Sequence, residues 1–112
     1  MQNLLRAYKA GVFQALGHPT RIAIIEMLRD GELSAGAIGE RLGIEQANVS
    51  QHLAILRSRQ IVAGRKEGNQ VFYSVRNPVL LKVLDIMRDY FQSNLKDAVQ
   101  MLGEFQVEQK ER

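Results

Sequence analysis

The 112-residue sequence predicts a mainly α-helical fold that carries one small β-hairpin. Three observations support this fold class. Apolar residues recur three and four positions apart over most of the chain, which is helical spacing. Glycine or proline interrupts the helical stretches at "GHP", "DG" and "LG". Only residues 61–76 show two β-prone runs around a glycine-containing turn. We therefore expect residues 1–112 to form a single domain.

A short break at "GHP" separates the first two predicted helices. One face of the first helix, residues 3–16, carries Leu5, Tyr8, Val12 and Leu16. Pro19 suits the first position of the second helix, and His18 before it is expected to cap that helix. The second helix, "TRIAIIEML", is apolar on nearly every side. It is therefore predicted to be the most buried helix.

Residues 34–59 have the pattern of a helix-turn-helix. Ser34 can cap a short helix that stops at Gly43. Two residues later, "EQANVSQHLAIL" begins a helix that runs to about Arg59. Its predicted buried face consists of Val49, Leu53 and Leu56. Two helices joined by a short glycine-containing turn are typical of a helix-turn-helix.

Residues 61–76 are predicted to form a hairpin, or wing, from "IVAGRK", "EGN" and "QVFYSV". Val71, Tyr73 and Val75 alternate with other residues, so one face of the second strand is expected to be apolar. A two-stranded hairpin is only marginally stable alone, so it must pack on the helices. A helix-turn-helix followed by a hairpin with a basic tip is the winged-helix arrangement.

The last third of the chain, residues 78–106, is predicted to be one long helix. Pro78 starts it, and about 28 residues span roughly 40 Å, more than a domain of this size can cover. Its apolar stripe consists of Leu80, Leu84, Met87, Phe91, Leu95, Ala98, Leu102 and Phe105. A second copy could bury this stripe together with residues 1–16, which predicts a homodimer. The predicted dimer interface is Leu5, Tyr8, Val12, Leu84, Met87, Phe91, Leu95, Ala98 and Leu102. The alternative is that the helix packs on its own core.

Composition excludes several classes of function. The chain has no cysteine, so we expect neither disulfides nor thiolate metal sites. No apolar run is long enough to span a membrane, and residues 1–16 do not resemble a secretory signal, so a cytoplasmic location is expected. The two histidines are far apart, and "GELSAGAIG" lacks the spacing and lysine of a phosphate-binding loop. We therefore predict no enzymatic activity and no cofactor.

The helix that begins at residue 45 has a polar but uncharged outer face, which is unusual for a helix selected only for solubility. Glutamine and asparagine offer paired donors and acceptors that match the edge of adenine in the major groove. The predicted base contacts are Gln46, Ala47, Asn48, Ser50 and Gln51. Residues 41–76 also hold six arginines and lysines against two glutamates, which favours a polyanionic partner. The predicted contacts to the DNA backbone are His52, Arg57, Arg65, Lys66, Asn69 and Gln70.

These segments resemble one family of bacterial regulators. "ALGHPTRIAIIEML" followed by "GELSAGAIGERLGIEQANVSQHLAILRSRQIVAGRKEGNQVFYSV" is similar to the winged-helix repressors of the ArsR/SmtB family. The resemblance covers about residues 12–76. It implies a homodimer that binds double-stranded operator DNA and releases it when an effector binds. The half-sites of an imperfect palindrome would lie roughly 34 Å apart.

The metal sites of that family do not carry over to this chain. In the family's cysteine pattern, the matching stretch "ELSAGAI" places Ser34, Gly36 and Ala37 at the ligand positions. In the pattern on the last helix, Asp85 is followed by Met87, Ala98 and Met101 where the other ligands should stand. Zinc, cobalt and nickel prefer imidazole or thiolate ligands, so neither site is expected to form.

The sequence leaves two questions open. The controlling signal could be a small organic molecule bound between the first and last helices, a hard cation, or no effector at all. The carboxylates for a hard cation would be Asp85, Asp89, Asp97 and Glu104. The alternative to DNA binding is a winged-helix module for protein interaction, although the uncharged face with basic surroundings favours DNA.

Overall fold

A computed structural model describes the backbone of residues 1–111 and the side chains of residues 1–104. The chain forms two compact units, Met1–Pro78 and a second one that begins at Val79. The helices of the first unit are α1 (Gln2–Leu16), α2 (Pro19–Met27), α3 (Ala35–Leu42) and α4 (Gln46–Ser58). A short 3₁₀ turn, Leu28–Asp30, follows α2. The predicted order of helices in this unit is therefore confirmed.

Side chains placed before two of these helices satisfy their free backbone amides, as expected. The Thr20 amide donates to His18 Nδ1 at 3.1 Å, so His18 caps α2. The Ala37 amide donates to Ser34 Oγ at 3.1 Å, so Ser34 caps α3. Gly43 ends α3 with φ of 70°, a left-handed conformation that glycine adopts without steric cost.

The core of the first unit fixes the rotation of α4. Its largest fully buried side chains are Ile24, Ile25, Ile38, Val49, Leu53, Leu56 and Val62. The three from α4 are those that the helical spacing predicted to be buried. Because these side chains are 0–1% exposed, the opposite face of α4 must lie towards solvent.

Helices α3 and α4 approach each other closely at Gly39. A Cβ atom at this position would lie 2.9 Å from the Ile44 carbonyl oxygen and 3.6 Å from Val49 Cγ2. Real Cβ atoms do not come so near a backbone oxygen. Glycine is therefore required for the turn between the two helices to be this tight.

The sheet has three strands, one more than expected. Strands β1 (Leu33–Ser34), β2 (Val62–Glu67) and β3 (Gln70–Val75) pair antiparallel in the order β1-β3-β2. The predicted hairpin is confirmed, and its two-residue loop begins at Gly68 with φ of 61°, the position that a type II′ turn reserves for glycine.

Both faces of β3 are covered to a similar extent, because residues 71–75 are all half-buried. Strand β3 lies in the centre of the sheet, with Ser34 opposite Phe72 and Leu33 opposite Tyr73. The guanidinium of Arg65 covers the Phe72 ring at 5.3 Å from its centre. Phe72 is therefore shielded on the face opposite to that of Val71, Tyr73 and Val75.

The second unit is a single helix, α5 (Val79–Glu111), that starts one residue after Pro78 and extends beyond the predicted end. Leu84 and Met87 are half-buried, whereas all described side chains from Arg88 to Glu104 are exposed. The predicted interface residues in that exposed range are Phe91, Leu95, Ala98 and Leu102. Phe105, the last residue of the predicted stripe, lies outside the described side chains. Among the described residues, no helix is long and apolar enough to cross a membrane.

Candidate nucleic-acid interface

The first two turns of α4 present a continuous polar surface. All five predicted base contacts, Gln46, Ala47, Asn48, Ser50 and Gln51, are exposed. Val49, which lies among them in sequence, is fully buried. The predicted face is therefore present, and the buried side of the same helix holds it in place.

A polar cleft of about 250 Å³ lies between the start of α3, the start of α4 and the wing. Its lining residues are Ser34, Ala35, Gly36, Gln46, Ser50, Asn69, Gln70, Val71 and Tyr73. It brings two predicted base contacts, Gln46 and Ser50, together with two predicted wing contacts, Asn69 and Gln70. None of the lining side chains is charged, so the cleft offers neutral donors and acceptors.

Sequence reasoning missed five residues of this cleft, Ser34, Ala35, Gly36, Val71 and Tyr73. Ser34 was assigned only to a helix cap and Tyr73 only to an apolar strand face. Gly36 lies so close to the Gln46 amide that a Cβ there would be 3.5 Å from Gln46 Oε1. Tyrosine in a strand with a polar turn nearby is the one signal that could have indicated a polar role.

Arg65 is engaged by two carboxylates, which the sequence did not indicate. Its Nη2 lies 2.9 Å from Glu32 Oε1 and its Nη1 lies 2.8 Å from Glu67 Oε2. The hydrogen bond from Arg65 lowers the pKa of the Glu32 carboxyl, and the bonds to Glu32 and Glu67 raise the pKa of Arg65. A DNA phosphate would have to compete with both carboxylates for this guanidinium.

The other predicted cationic contacts are placed differently. Lys66, on the following position of β2, is exposed. Arg57 is also exposed, and its guanidinium lies beside β2, where a Cβ on Gly64 would be 3.2 Å from Arg57 Nη1. Within the described residues, neither Lys66 nor Arg57 forms a salt bridge such as those of Arg65.

His52 faces α2, away from the outer surface of α4. It is half-buried, its Nδ1 lies 3.3 Å from Arg21 Nη1, and its ring centre lies 4.6 Å from that of His18. Burial, and then the charges of His18 and Arg21, lower the pKa of His52. The contact between His52 and the DNA backbone stays a prediction from the sequence.

The carboxylates of the last helix do not form a metal site in the described part of the chain. No group of three or more histidine, aspartate or glutamate side chains lies close enough together there to hold a metal ion. The exposed Asp89, Asp97 and Glu104 are distributed along α5.

Helices α3 and α4 followed directly by the hairpin of β2 and β3 define the winged helix-turn-helix class of proteins. A family model described as a helix-turn-helix domain matches residues 16–65. The chain belongs to the ArsR/SmtB family of helix-turn-helix transcriptional regulators, as its relatives show.

Three relatives illustrate this membership. The HTH-type transcriptional regulator Rv0081 of Mycobacterium tuberculosis is 35% identical over 100 residues, 88% of each chain. Its crystal structure matches with a TM-score of 0.76 and 36% identity, covering 85% of this chain and 96% of that one. The transcriptional repressor SdpR of Bacillus subtilis is 30% identical and covers 77% of this chain and 96% of its own. The transcriptional activator HlyU of Vibrio cholerae is 37% identical, over 74% and 78% respectively.

Proposed function

We propose that this regulator is a dimeric repressor that binds an imperfect palindromic operator through the major groove. The observation that carries the proposal is the uncharged, exposed face of α4 opposite a fully buried one. Because packing fixes the rotation of this helix, its first turns can enter the groove without rearrangement of its buried side chains. The base contacts are Gln46, Ala47, Asn48, Ser50 and Gln51. Its place of action is the cytoplasm, where bacterial operators lie.

The surroundings of α4 supply the contacts to the DNA backbone. In this proposal they are Arg57, Lys66, Asn69 and Gln70. Such contacts hold the protein in register and provide affinity, but they carry little sequence information. Arg65 contributes less than Lys66, because Glu32 and Glu67 already neutralise it.

The dimer in this proposal is supported by exposed apolar side chains on α1 and α5. Leu5 and Tyr8 are 52% and 53% exposed, and Phe91, Leu95 and Leu102 are 56–63% exposed. A surface of this kind is unfavourable in water unless a partner covers it. A second copy would cover the same residues on both protomers and would present two α4 helices to a palindrome. The repressor assignment follows the name of SdpR, whereas HlyU is named an activator.

The test begins with selection of duplexes from a random-sequence pool by the wild-type protein, followed by footprinting. We expect a footprint with two-fold symmetry and half-sites about one helical turn apart. A gene fused downstream of the selected site then gives the direction of regulation. Repression is expected in the absence of effector.

Two variants separate base contacts from backbone contacts. Gln51→Ala is expected to relax the preferred base at one position in each half-site, at a cost of roughly 1–3 kcal/mol for the preferred duplex. Lys66→Ala is expected to weaken all duplexes about equally and to reduce the salt dependence by about one ion per protomer. Lys96→Ala removes the same charge from α5 and is the control. A chain that selects no sequence and leaves no footprint contradicts the proposal and favours the protein-interaction module.

A further inference from the structure

Arg21 of α2 connects the end of α1 to α4. Its Nε donates to the Ala15 carbonyl, and its Nη2 lies 3.5 Å from the Gln14 carbonyl oxygen. The third contact joins its Nη1 to His52 Nδ1 of α4 at 3.3 Å. The last carbonyls of a helix have no partners within the helix, and a cationic donor stabilises them. Arg21 therefore caps α1 and bonds α4 with the same guanidinium.

These contacts of Arg21 with Ala15, Gln14 and His52, here called the Arg21 bridge, require His52 to be neutral. A guanidinium has donors but no acceptor, so Nδ1 of His52 must accept the hydrogen bond and cannot carry a proton. The neighbouring His18 receives the Thr20 amide at its Nδ1, at 3.1 Å. The two rings lie 4.6 Å apart. Protonation of His52 would remove the acceptor and place a positive charge against Arg21.

The groups that act on His52 all favour its neutral form. His18 and Arg21 lower its pKa, after burial, and no charged group of α3 or of the sheet acts on it within the described residues. From α1, the groups that meet Arg21 are backbone carbonyls. In the part of the chain that the structure describes, no carboxylate therefore acts on His52 to offset a proton there.

His52 occupies a position from which it can influence the outer face of α4. It directly follows Gln51, a proposed base contact, and it precedes the fully buried Leu53. At the other end of α4, the guanidinium of Arg59 packs over Gly11 of α1, where a Cβ would lie 2.7 Å from Arg59 Nη1. Helix α1 therefore contacts α4 through an arginine at one end and through the Arg21 bridge nearer the other.

We propose that Arg21 is a positioning residue for sequence discrimination: it holds α4 against the end of α1 through neutral His52, so that discrimination decreases in acid. The proposal rests on the function proposed above, because it concerns the placement of the same base-contacting face. It predicts a loss of specificity, rather than of affinity for DNA in general.

The first experiment compares affinity for the selected duplex with affinity for a random-sequence duplex of equal length. Arg21→Gln is expected to lower this ratio about tenfold, since a misplaced bidentate contact costs about that much. Affinity for the random duplex is expected to stay within about twofold of wild type, because non-specific binding depends on phosphate contacts. Arg21→Lys keeps the charge but cannot bridge two helices, so it should also lose discrimination. Arg6→Gln on α1 removes the same charge and is the control.

The second experiment uses pH as a readout that a merely structural role would not change. The wild-type ratio is expected to fall as the pH decreases through the pKa of His52, which is lowered from the ordinary imidazole value of about 6.5. His52→Gln keeps an acceptor for Arg21 but does not titrate, so its ratio should stay constant over the same range. Equal pH profiles for wild type and His52→Gln would overturn the proposal.

Folding and function are separated by thermal unfolding of each variant. A folded Arg21→Gln protein with wild-type discrimination contradicts the proposal. If this variant does not fold, the pH comparison with His52→Gln decides.

If the wild type prefers no duplex at all, the proposed function fails instead. The bridge is then tested by stability alone. Because the pKa of His52 is lowered in the folded chain, wild-type stability should decrease as the pH falls through that pKa, and more than that of His52→Gln.

Discussion

At the wing, two neighbouring basic residues differ in how much of their charge a polyanion can use. Arg65 bonds Glu32 and Glu67 and covers the ring of Phe72. Lys66 follows it in the strand, and successive side chains of a strand lie on opposite faces. Arg65 and Lys66 carry the same charge, but they differ in how far neighbouring carboxylates offset it. Glu32 accounts for most of this difference.

We expect Glu32→Gln to increase affinity for all duplexes by about two- to fivefold, with a slightly steeper dependence on salt. The substitution removes a negative charge near the DNA backbone. It also removes one of the two carboxylates that bind the guanidinium of Arg65. Exposed ion pairs contribute little to stability, so the loss of the pair should not outweigh this gain. Titration of labelled duplexes at two salt concentrations measures the effect.

The control is Glu40→Gln, which removes the same charge from α3. Weaker binding by Glu32→Gln than by Glu40→Gln would mean that the ion pair serves to hold the wing in place. The pair itself should persist at neutral pH. Because the pKa of Glu32 is lowered, the stabilisation that the pair provides is lost only as the pH falls through that lowered value.

At the scale of elements, the sequence predicted those features that depend on near neighbours. Helical spacing gave the buried face of α4, and Ser34 and His18 were identified as caps from their positions before helices. Strand β1 was missed because a pair of residues is too short to show a period. The partners of Arg65 and His52 were missed because Glu32 and Arg21 are distant in sequence, and only the pairing of elements brings them close.

The tight turn between α3 and α4 gives a prediction about stability. Gly39→Ala should lower the free energy of unfolding by roughly 1–3 kcal/mol, because the added methyl group would meet a backbone oxygen that cannot move freely. Urea denaturation measures this change. Gly36→Ala in the same helix is the matched control, since its Cβ would meet the flexible end of Gln46 at 3.5 Å and Ser34 Oγ at 4.0 Å, which are ordinary contacts. Alanine there should be neutral or stabilising. Equal effects of both substitutions would contradict this account.

At the scale of the whole molecule, the exposed apolar side chains of α5 matter most. Tyr90, Phe91, Leu95, Val99 and Leu102 are all more than half exposed in the single chain. Helices gain most of their stability from tertiary packing of an apolar face, so a partner that covers these side chains would stabilise α5. The polar face of the same helix includes Lys96, directly after Leu95, which allows a closely matched comparison.

We expect Leu95→Glu to shift the protein from dimer to monomer, because a carboxylate in an apolar interface loses its hydration. Lys96→Gln changes the net charge by the same amount and should leave the dimer intact. Sedimentation over a range of protein concentrations distinguishes the two. A Leu95→Glu protein that sediments like a dimeric wild type would show that the dimer uses another surface.

Strand β1 has a consequence for engineering. It pairs with β3, and its second residue, Ser34, also caps α3. The wing is thus hydrogen-bonded to the segment from which the helix-turn-helix starts. A chimera that exchanges only residues 62–75 with another regulator would leave Leu33 and Ser34 facing an unfamiliar strand. Transplanting DNA specificity between members of the family should therefore succeed more often when the exchanged cassette begins before residue 33 than when it begins at α4.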